Sequence, residues 1–353
     1  MIKYYDKKFR FYEVFNEKTG EYCRSGILDD CLKDTGIDPF MRSFPSLIDI
    51  GIMGHCVCAN HCKVDCYQKA ISRSGCNMSV YDYCTIMDQC RGKVFQVALG
   101  GAGDPDTHEC FETILKRTVE NNIVPNFTTS GIAMTSEKAE LCKKYCGAVA
   151  VSEHNATYTD RALNMLRIAG VKTNIHYVLS NQTIDQAIDR LEHNYYCFAN
   201  AVVFLLYKPV GLGKAEKVLR FDDPRLEKFF RIIEEHPFSH KIGFDSCSAP
   251  AIVNYTSNID MNSLDFCEGA RHSMYIDADM NAMPCSFGNQ DSKWFVSLRD
   301  HTIEEAWNSA VFNNFRNALQ YSCTSCKDRT FCAGGCPIVR DIVLCNRPEK
   351  DLR

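Results

Sequence analysis

Three cysteines, Cys58, Cys62 and Cys66, follow one another in the segment HCVCANHCKVDCYQKA at C-x3-C-x3-C spacing. Three thiolates on one loop can hold three irons of a [4Fe-4S] cube and leave the fourth iron open, which a catalytic metal site requires. Zinc sites usually close on four ligands in two separated pairs, so this triplet fits a cluster better than zinc. Cys56 lies two positions upstream and competes with Cys58 for the first place. A second group, SCTSCKDRTFCAGGCPIVRDIVLC, sets Cys323, Cys326, Cys332, Cys336 and Cys345 at C-x2-C-x5-C-x3-C-x8-C, too many for one four-ligand site. A Gly-rich segment, LGGAGDPDTH, brings Gly100, Gly101, Ala102, Gly103 and Asp104 to the end of an apolar run. Adjacent glycines there let the backbone approach a ligand that side chains would block.

These residues need a scaffold. Short apolar runs alternate with amphipathic stretches from about residue 46 to 246, the pattern of strand-helix units on a parallel sheet. The runs are 46–52, 93–100, 124–130, 148–154, 172–180 and 201–209, with 241–246 as a possible seventh. Helical patterns lie between them, several opening on Ser, Thr or Asp as caps. Six such units predict an α/β fold with a partial or full barrel. The first cysteine group then follows the first strand, at the barrel mouth, where active sites sit. Ser130 and Ser152 fall at the carboxyl ends of later strands and join the candidate site.

Residues 1–45 read as a small hairpin turning at Asn16 to Gly20. From 247 to 353 the periodicity fades, cysteines become dense, and 302–319 reads as one long helix, so this stretch is expected to be a second domain stapled by clusters. The chain holds 21 cysteines in 353 residues. It shows no secretory signal and no apolar stretch long enough for a membrane span. In a reducing cytoplasm such cysteines read as metal ligands rather than disulfides. Net charge is -4 with both signs interspersed, which argues against nucleic acid and membrane partners. Cysteines on helical patterns, among them Cys84, Cys90, Cys142, Cys76 and Cys197, read as buried small hydrophobes.

Together these segments resemble the radical S-adenosylmethionine (SAM) enzymes. Their C-x3-C-x2-C loop also follows the first strand of a partial (β/α)6 TIM barrel. The last gap here is one residue longer, and Tyr67 follows the third cysteine where an aromatic usually precedes it. The glycine segment is similar to the family's GGE-type motif, which contacts the methionyl amine of SAM, with Ala102 where Glu is common. By the same resemblance, Ser130 and Ser152 would contact SAM or line the substrate cavity. The C-terminal run, with Cys267 and Cys285, resembles the SPASM domain, which binds two auxiliary [4Fe-4S] clusters. The resemblance implies cluster I on Cys267, Cys285 and Cys336, and cluster II on Cys323, Cys326, Cys332 and Cys345. Cys247 is a candidate to complete cluster I. Met280 occupies a hairpin position where the domain usually has Gly, with Asn281 next to it to take the positive φ.

The resemblance implies a cytoplasmic enzyme with SAM and three [4Fe-4S] clusters, fed by an electron donor such as flavodoxin or ferredoxin. Its expected reaction is hydrogen abstraction from a precursor peptide, with thioether or carbon-carbon cross-linking. Alternatives are maturation of a sulfatase, dehydrogenation of a small alcohol, or a non-catalytic iron-sulfur electron carrier or redox sensor. The 45 residues before the barrel are too few for a winged-helix leader-binding domain, so the hairpin would offer a strand edge instead.

Overall fold

The computed structural model describes residues 1–345 apart from positions 61, 155, 321, 322, 324, 340, 341 and 343. The chain opens with an antiparallel meander, β1 (Ile2–Asp6), β2 (Phe11–Phe15) and β3 (Tyr22–Arg24). The expected turn lies between β2 and β3, closed by the Gly20 amide donating to the Asn16 carbonyl at 2.7 Å. Strand β1 extends the predicted hairpin to three strands. The Asp6 carboxylate makes that first turn, accepting the amides of Lys8 and Phe9 at 3.0 Å each.

Seven parallel strands follow: β4 (Leu47–Met53), β5 (Gln96–Gly101), β6 (Val124–Thr129), β7 (Ala148–Ser152), β8 (Thr173–Leu179), β9 (Ala201–Leu206) and β10 (Lys241–Phe244). Each pairs with the next. The helices α1 (Val80–Cys90), α2 (Phe111–Glu120), α3 (Ser136–Tyr145), α4 (Ala156–Ala169), α5 (Ile184–Glu192) and α6 (Arg225–Glu235) connect them, and α7 (Ala249–Tyr255) follows β10. This is the six-unit partial barrel expected, with the seventh strand present. Strand β4 shows the logic of the core. Ile48, Ile50 and Ile52 alternate into the hydrophobic cluster shared with Tyr83 and Ile86, leaving Leu47, Asp49 and Gly51 on the lumen side.

The C-terminal region continues the same sheet. Strand β11 (Ser273–Ile276) pairs parallel with β4, and β12 (Asn281–Met283) and β13 (Val296–Ser297) follow antiparallel. Among the described residues, ten strands thus form one sheet. In the β11–β12 hairpin the positive φ falls on Met280, at 69°, not on Asn281. The Asp277 carboxylate holds that turn by accepting the amides of Asp279 and Asn281 at 3.0 and 2.8 Å. The predicted helix over 302–319 is broken into α8 (Ile303–Trp307) and α9 (Ala310–Gln320). Asn308 caps the first, its side chain bonding the Glu304 carbonyl at 2.8 Å. Such local bonds compete with helix continuation. A last short helix, α10 (Arg329–Cys332), lies among the terminal cysteines.

At the amino ends of the strands the β2–β3 turn covers the barrel floor. Lys172 Nζ donates to the carbonyls of Lys18 and Thr19 at 2.9 and 2.8 Å. Above this floor lies a cavity of about 390 Å³ lined by Gln96, Asn126, Thr128, Asn174 and His176. Among the described residues no helix is long and apolar enough to cross a membrane.

Candidate functional site

The loop after β4 carries Cys56, Cys58, Cys62 and Cys66 at the carboxyl end of the barrel. Its far side is fastened to the segment after β9. The Leu212 amide donates to the Cys66 carbonyl at 3.0 Å, and Lys217 Nζ lies 2.5 Å from the Asp65 carboxylate. Gly211, at φ +70°, brings its backbone so close that an added Cβ would stand 2.6 Å from the Cys66 carbonyl oxygen. Glycine is required there on both counts. The loop is also tied to the C-terminal region, since buried Gln68 bonds Tyr275 Oη (3.3 Å) and accepts from Asn289 (2.6 Å).

The glycine turn lies against this loop. A Cβ on Gly101 (φ +121°) would stand 2.6 Å from the Met53 carbonyl oxygen, and one on Gly103 would collide with the His55 carbonyl. Gly100 has open space on its Cβ side. Ala102 is buried, with its amide bonded to the Met53 carbonyl at 2.8 Å, so it packs the turn against β4. Two residues predicted separately meet here: the Asp104 carboxylate accepts both the Ser130 amide (3.0 Å) and the Ser130 hydroxyl (2.5 Å). Ser152 is buried at the end of β7, in register with His176 of β8.

Asp106 is fully buried behind the turn, with Thr129 Oγ1 bonded to it at 2.9 Å and Lys138 Nζ 3.9 Å away. Burial, and then the Asp104 charge, push its pKa up to about 6 from an ordinary 3.8. Between those values the folded chain holds a proton that the unfolded chain releases. Stability therefore falls as pH rises through this window and levels off above about 6. Asp106→Asn is expected to flatten that slope, gaining about 1–3 kcal/mol at neutral pH relative to acid. Melting temperatures of both proteins across that window check it; parallel curves would contradict it.

At the C-terminal side, Cys247, Cys267, Cys332 and Cys336 border one void. Cys336 and Cys285 lie within electrostatic reach of Cys247, and Cys285 also of Cys267. Cys247 thus stands with Cys267, Cys285 and Cys336. Cys332, which the resemblance puts with the other set, also walls this void. Burial pushes the Cys285 thiol up to about 12 and the Cys267 thiol higher still. Such thiols stay neutral until a cation replaces the proton, so metal binding here would release protons. Two C-terminal sulfurs already accept backbone amides, Cys326 from Asp328 and Cys336 from Val339, each at 3.3 Å. Among the described residues no three Cys, His, Asp or Glu side chains are drawn together around a single ion. A four-iron cluster spaces its sulfurs more widely than a zinc ion does, and this all-sulfur donor set fits such a cluster. Cys323 and Cys326 are linked by an amide-to-carbonyl bond of 3.0 Å, and Cys345 is half-buried. Of the cysteines read as core, Cys90 and Cys142 are buried, whereas Cys76 and Cys197 lie exposed on connecting segments.

Sequence reasoning missed Lys208, just beyond β9. Its Nζ is 2.6 Å from Asp245 and 2.9 Å from the Leu206 carbonyl, and 4.5 Å from the centre of the Phe287 ring. Burial weighs against its charge, but Asp245, with Cys247 and Cys285, outweighs that, and its pKa stands above the ordinary lysine value. A lysine at the carboxyl end of a predicted strand was the available signal.

Residues 267–328 match SPASM, an iron-sulfur cluster-binding domain. The fold is similar to Streptococcus suis SuiB bound to precursor peptide SuiA, with TM-score 0.67, 16% identity, and coverage of 84% of this chain and 73% of that one. SuiB bound to S-adenosylmethionine gives TM-score 0.64 at 17% identity, covering 84% and 74%. Native anSMEcpe with bound AdoMet and Cp18Cys peptide gives TM-score 0.63 at 18% identity, covering 85% and 91%. No curated protein matches in sequence. The chain has the fold of the radical SAM enzymes, a partial barrel whose sheet runs on into a C-terminal SPASM iron-sulfur domain.

Proposed function

We propose that this protein is a cytoplasmic radical SAM maturase that modifies a ribosomally made peptide by oxidative cross-linking, through a thioether or a carbon-carbon bond. The observation that carries the reading is the meeting of the thiol loop and the glycine turn at one barrel end, where Gly103 leaves no room for a Cβ beside His55. When bound there and reduced, the cluster would supply the electron that splits SAM into methionine and a hydrogen-abstracting 5′-deoxyadenosyl radical.

The chain's own residues would do the rest. Cys62 and Cys66, with Cys58 or Cys56, would hold the first cluster. The backbone at Gly100 to Gly103 would admit the methionyl end of SAM, and the Asp104–Ser130 pair would take polar groups of the same ligand. Cys247, Cys267, Cys285 and Cys336 would hold one auxiliary cluster, and Cys323, Cys326, Cys332 and Cys345 the other. A sheet that continues from barrel into C-terminal region would wall the reacting carbon from water. Two similar folds carry peptides in their crystal structures, which supports a peptide substrate for this one. Strand β1 has no partner on its outer edge among the described residues and would take a leader by strand addition.

Anaerobically reconstituted protein is expected to bind about 12 irons and, once reduced by dithionite or flavodoxin, to convert SAM to 5′-deoxyadenosine. Chromatography of the quenched mixture reads the product. Full iron loading without any 5′-deoxyadenosine would sink the enzyme reading in favour of an electron carrier.

A further inference from the structure

We propose that Cys56, not Cys58, is the first iron ligand of the loop after β4, so that the set is Cys56, Cys62 and Cys66 at C-x5-C-x3-C spacing. The inference rests on the reading of that loop as a cluster site. Its first support is a backbone bond. The Cys58 amide donates to Cys56 Sγ at 3.4 Å, from two residues downstream. The same amide-to-sulfur bond from two residues downstream is made at Cys326, which accepts the Asp328 amide at 3.3 Å within the matched iron-sulfur domain. A neutral thiol is a weak acceptor, whereas a metal-bound thiolate gains from such bonds, and hydrogen bonds to sulfur are among the features that tune clusters. The chain therefore builds at Cys56 the backbone setting it builds at Cys326. Cys58 stands on the donor side of that bond.

The second support is placement. Cys56 follows the last residue of β4 by three positions, and the glycine turn lies directly on it: a Cβ at Gly103 would stand 3.1 Å from Cys56 Cα. A ligand seated on the backbone of that turn is thus beside Cys56. The Cys56 thiol is within electrostatic reach of Cys62, Cys66 and Asp104, and the Cys58 thiol of Cys62 and Asp104. The Ala59 amide closes the turn onto the Cys56 carbonyl at 3.3 Å, with Val57 left 61% exposed at its tip. Cys58 thus sits with Val57 at the tip of a small turn that Cys56 opens.

The experiment compares Cys56→Ala, Cys58→Ala and, as reference, Cys62→Ala in full-length protein reconstituted without oxygen. Iron per chain is measured, and electron paramagnetic resonance spectra of the reduced proteins are recorded with and without SAM. Wild type is examined first, because absence of any SAM-responsive signal there would defeat the function reading itself rather than the ligand assignment. Given that signal, Cys56→Ala and Cys62→Ala are each expected to lose it together with about four irons, while Cys58→Ala keeps both. Retention in Cys56→Ala, or loss in Cys58→Ala, overturns the assignment. The auxiliary-cluster signals, retained in all three, show that each variant is folded, and Cys56→Ser repeats the test with an isosteric side chain.

Discussion

Replacing Arg42 with methionine is expected to cost about 3–5 kcal/mol, the range for stripping one partner from a buried ion pair. Arg42 Nε lies 2.7 Å from Glu13 Oε2, and neither side chain has any exposure. The guanidinium also lies over the rings of Tyr4, at 3.8 Å, and Phe95, at 5.0 Å. Around it the N-terminal meander, the barrel and the C-terminal region meet, for the Arg42 carbonyl accepts Trp307 Nε1 at 3.0 Å and its amide donates to the Arg271 carbonyl. Burial already raises the Glu13 pKa against the pull of Arg42. Without the arginine it rises further, so the folded variant holds a proton that its unfolded chain releases above the ordinary carboxylate range. Its deficit should therefore grow as pH rises. Adding Glu13→Gln removes the stranded charge and should recover much of the loss, whereas lost stacking would persist. Anaerobic melting of the single and double variants, with hydrogen exchange over residues 1–24, reads both. A loss under about 1 kcal/mol in Arg42→Met would show the pair to be dispensable.

The parts of the fold that were legible in sequence are those whose signal is local. Runs such as AVVFLL and LIDIGIM are long enough, and rich enough in β-branched residues, to name themselves as strands, and Asn16 to Gly20 carries its own turn chemistry. Strands β11 to β13 have four, three and two residues, below the length at which alternation can be counted, and β11 owes its place to pairing with β4. The predicted helix failed at Asn308 because side-chain-to-backbone bonds, invisible to apolar periodicity, ended it. Spacing likewise found the cysteines but not their company. Cys247 joins Cys267, Cys285 and Cys336 only because β10 ends beside the C-terminal cysteines. The Asp104–Ser130 bond required two strands to be set side by side.

Lys208 carries the other large effect. It is buried between the two cysteine regions, its Nζ on Asp245 and facing the Phe287 ring, which also packs on Tyr67, next to Cys66, at 4.7 Å between centroids. Lys208→Met leaves Asp245 partly buried without its cation, at a cost of about 3–5 kcal/mol. It also removes a positive charge beside Cys247 and Cys285. Reducing a cluster adds negative charge, so its midpoint potential should fall when a nearby cation is lost. Asp245→Asn should move the potential the opposite way, and the double variant should return near wild type in both stability and potential, because local net charge is restored. A purely structural ion pair predicts the same pattern in stability but none in potential. Redox titration of the auxiliary signals, followed by electron paramagnetic resonance in all four proteins, separates the two roles. A potential that stays constant while stability varies would leave Lys208 as a structural partner of Asp245 alone.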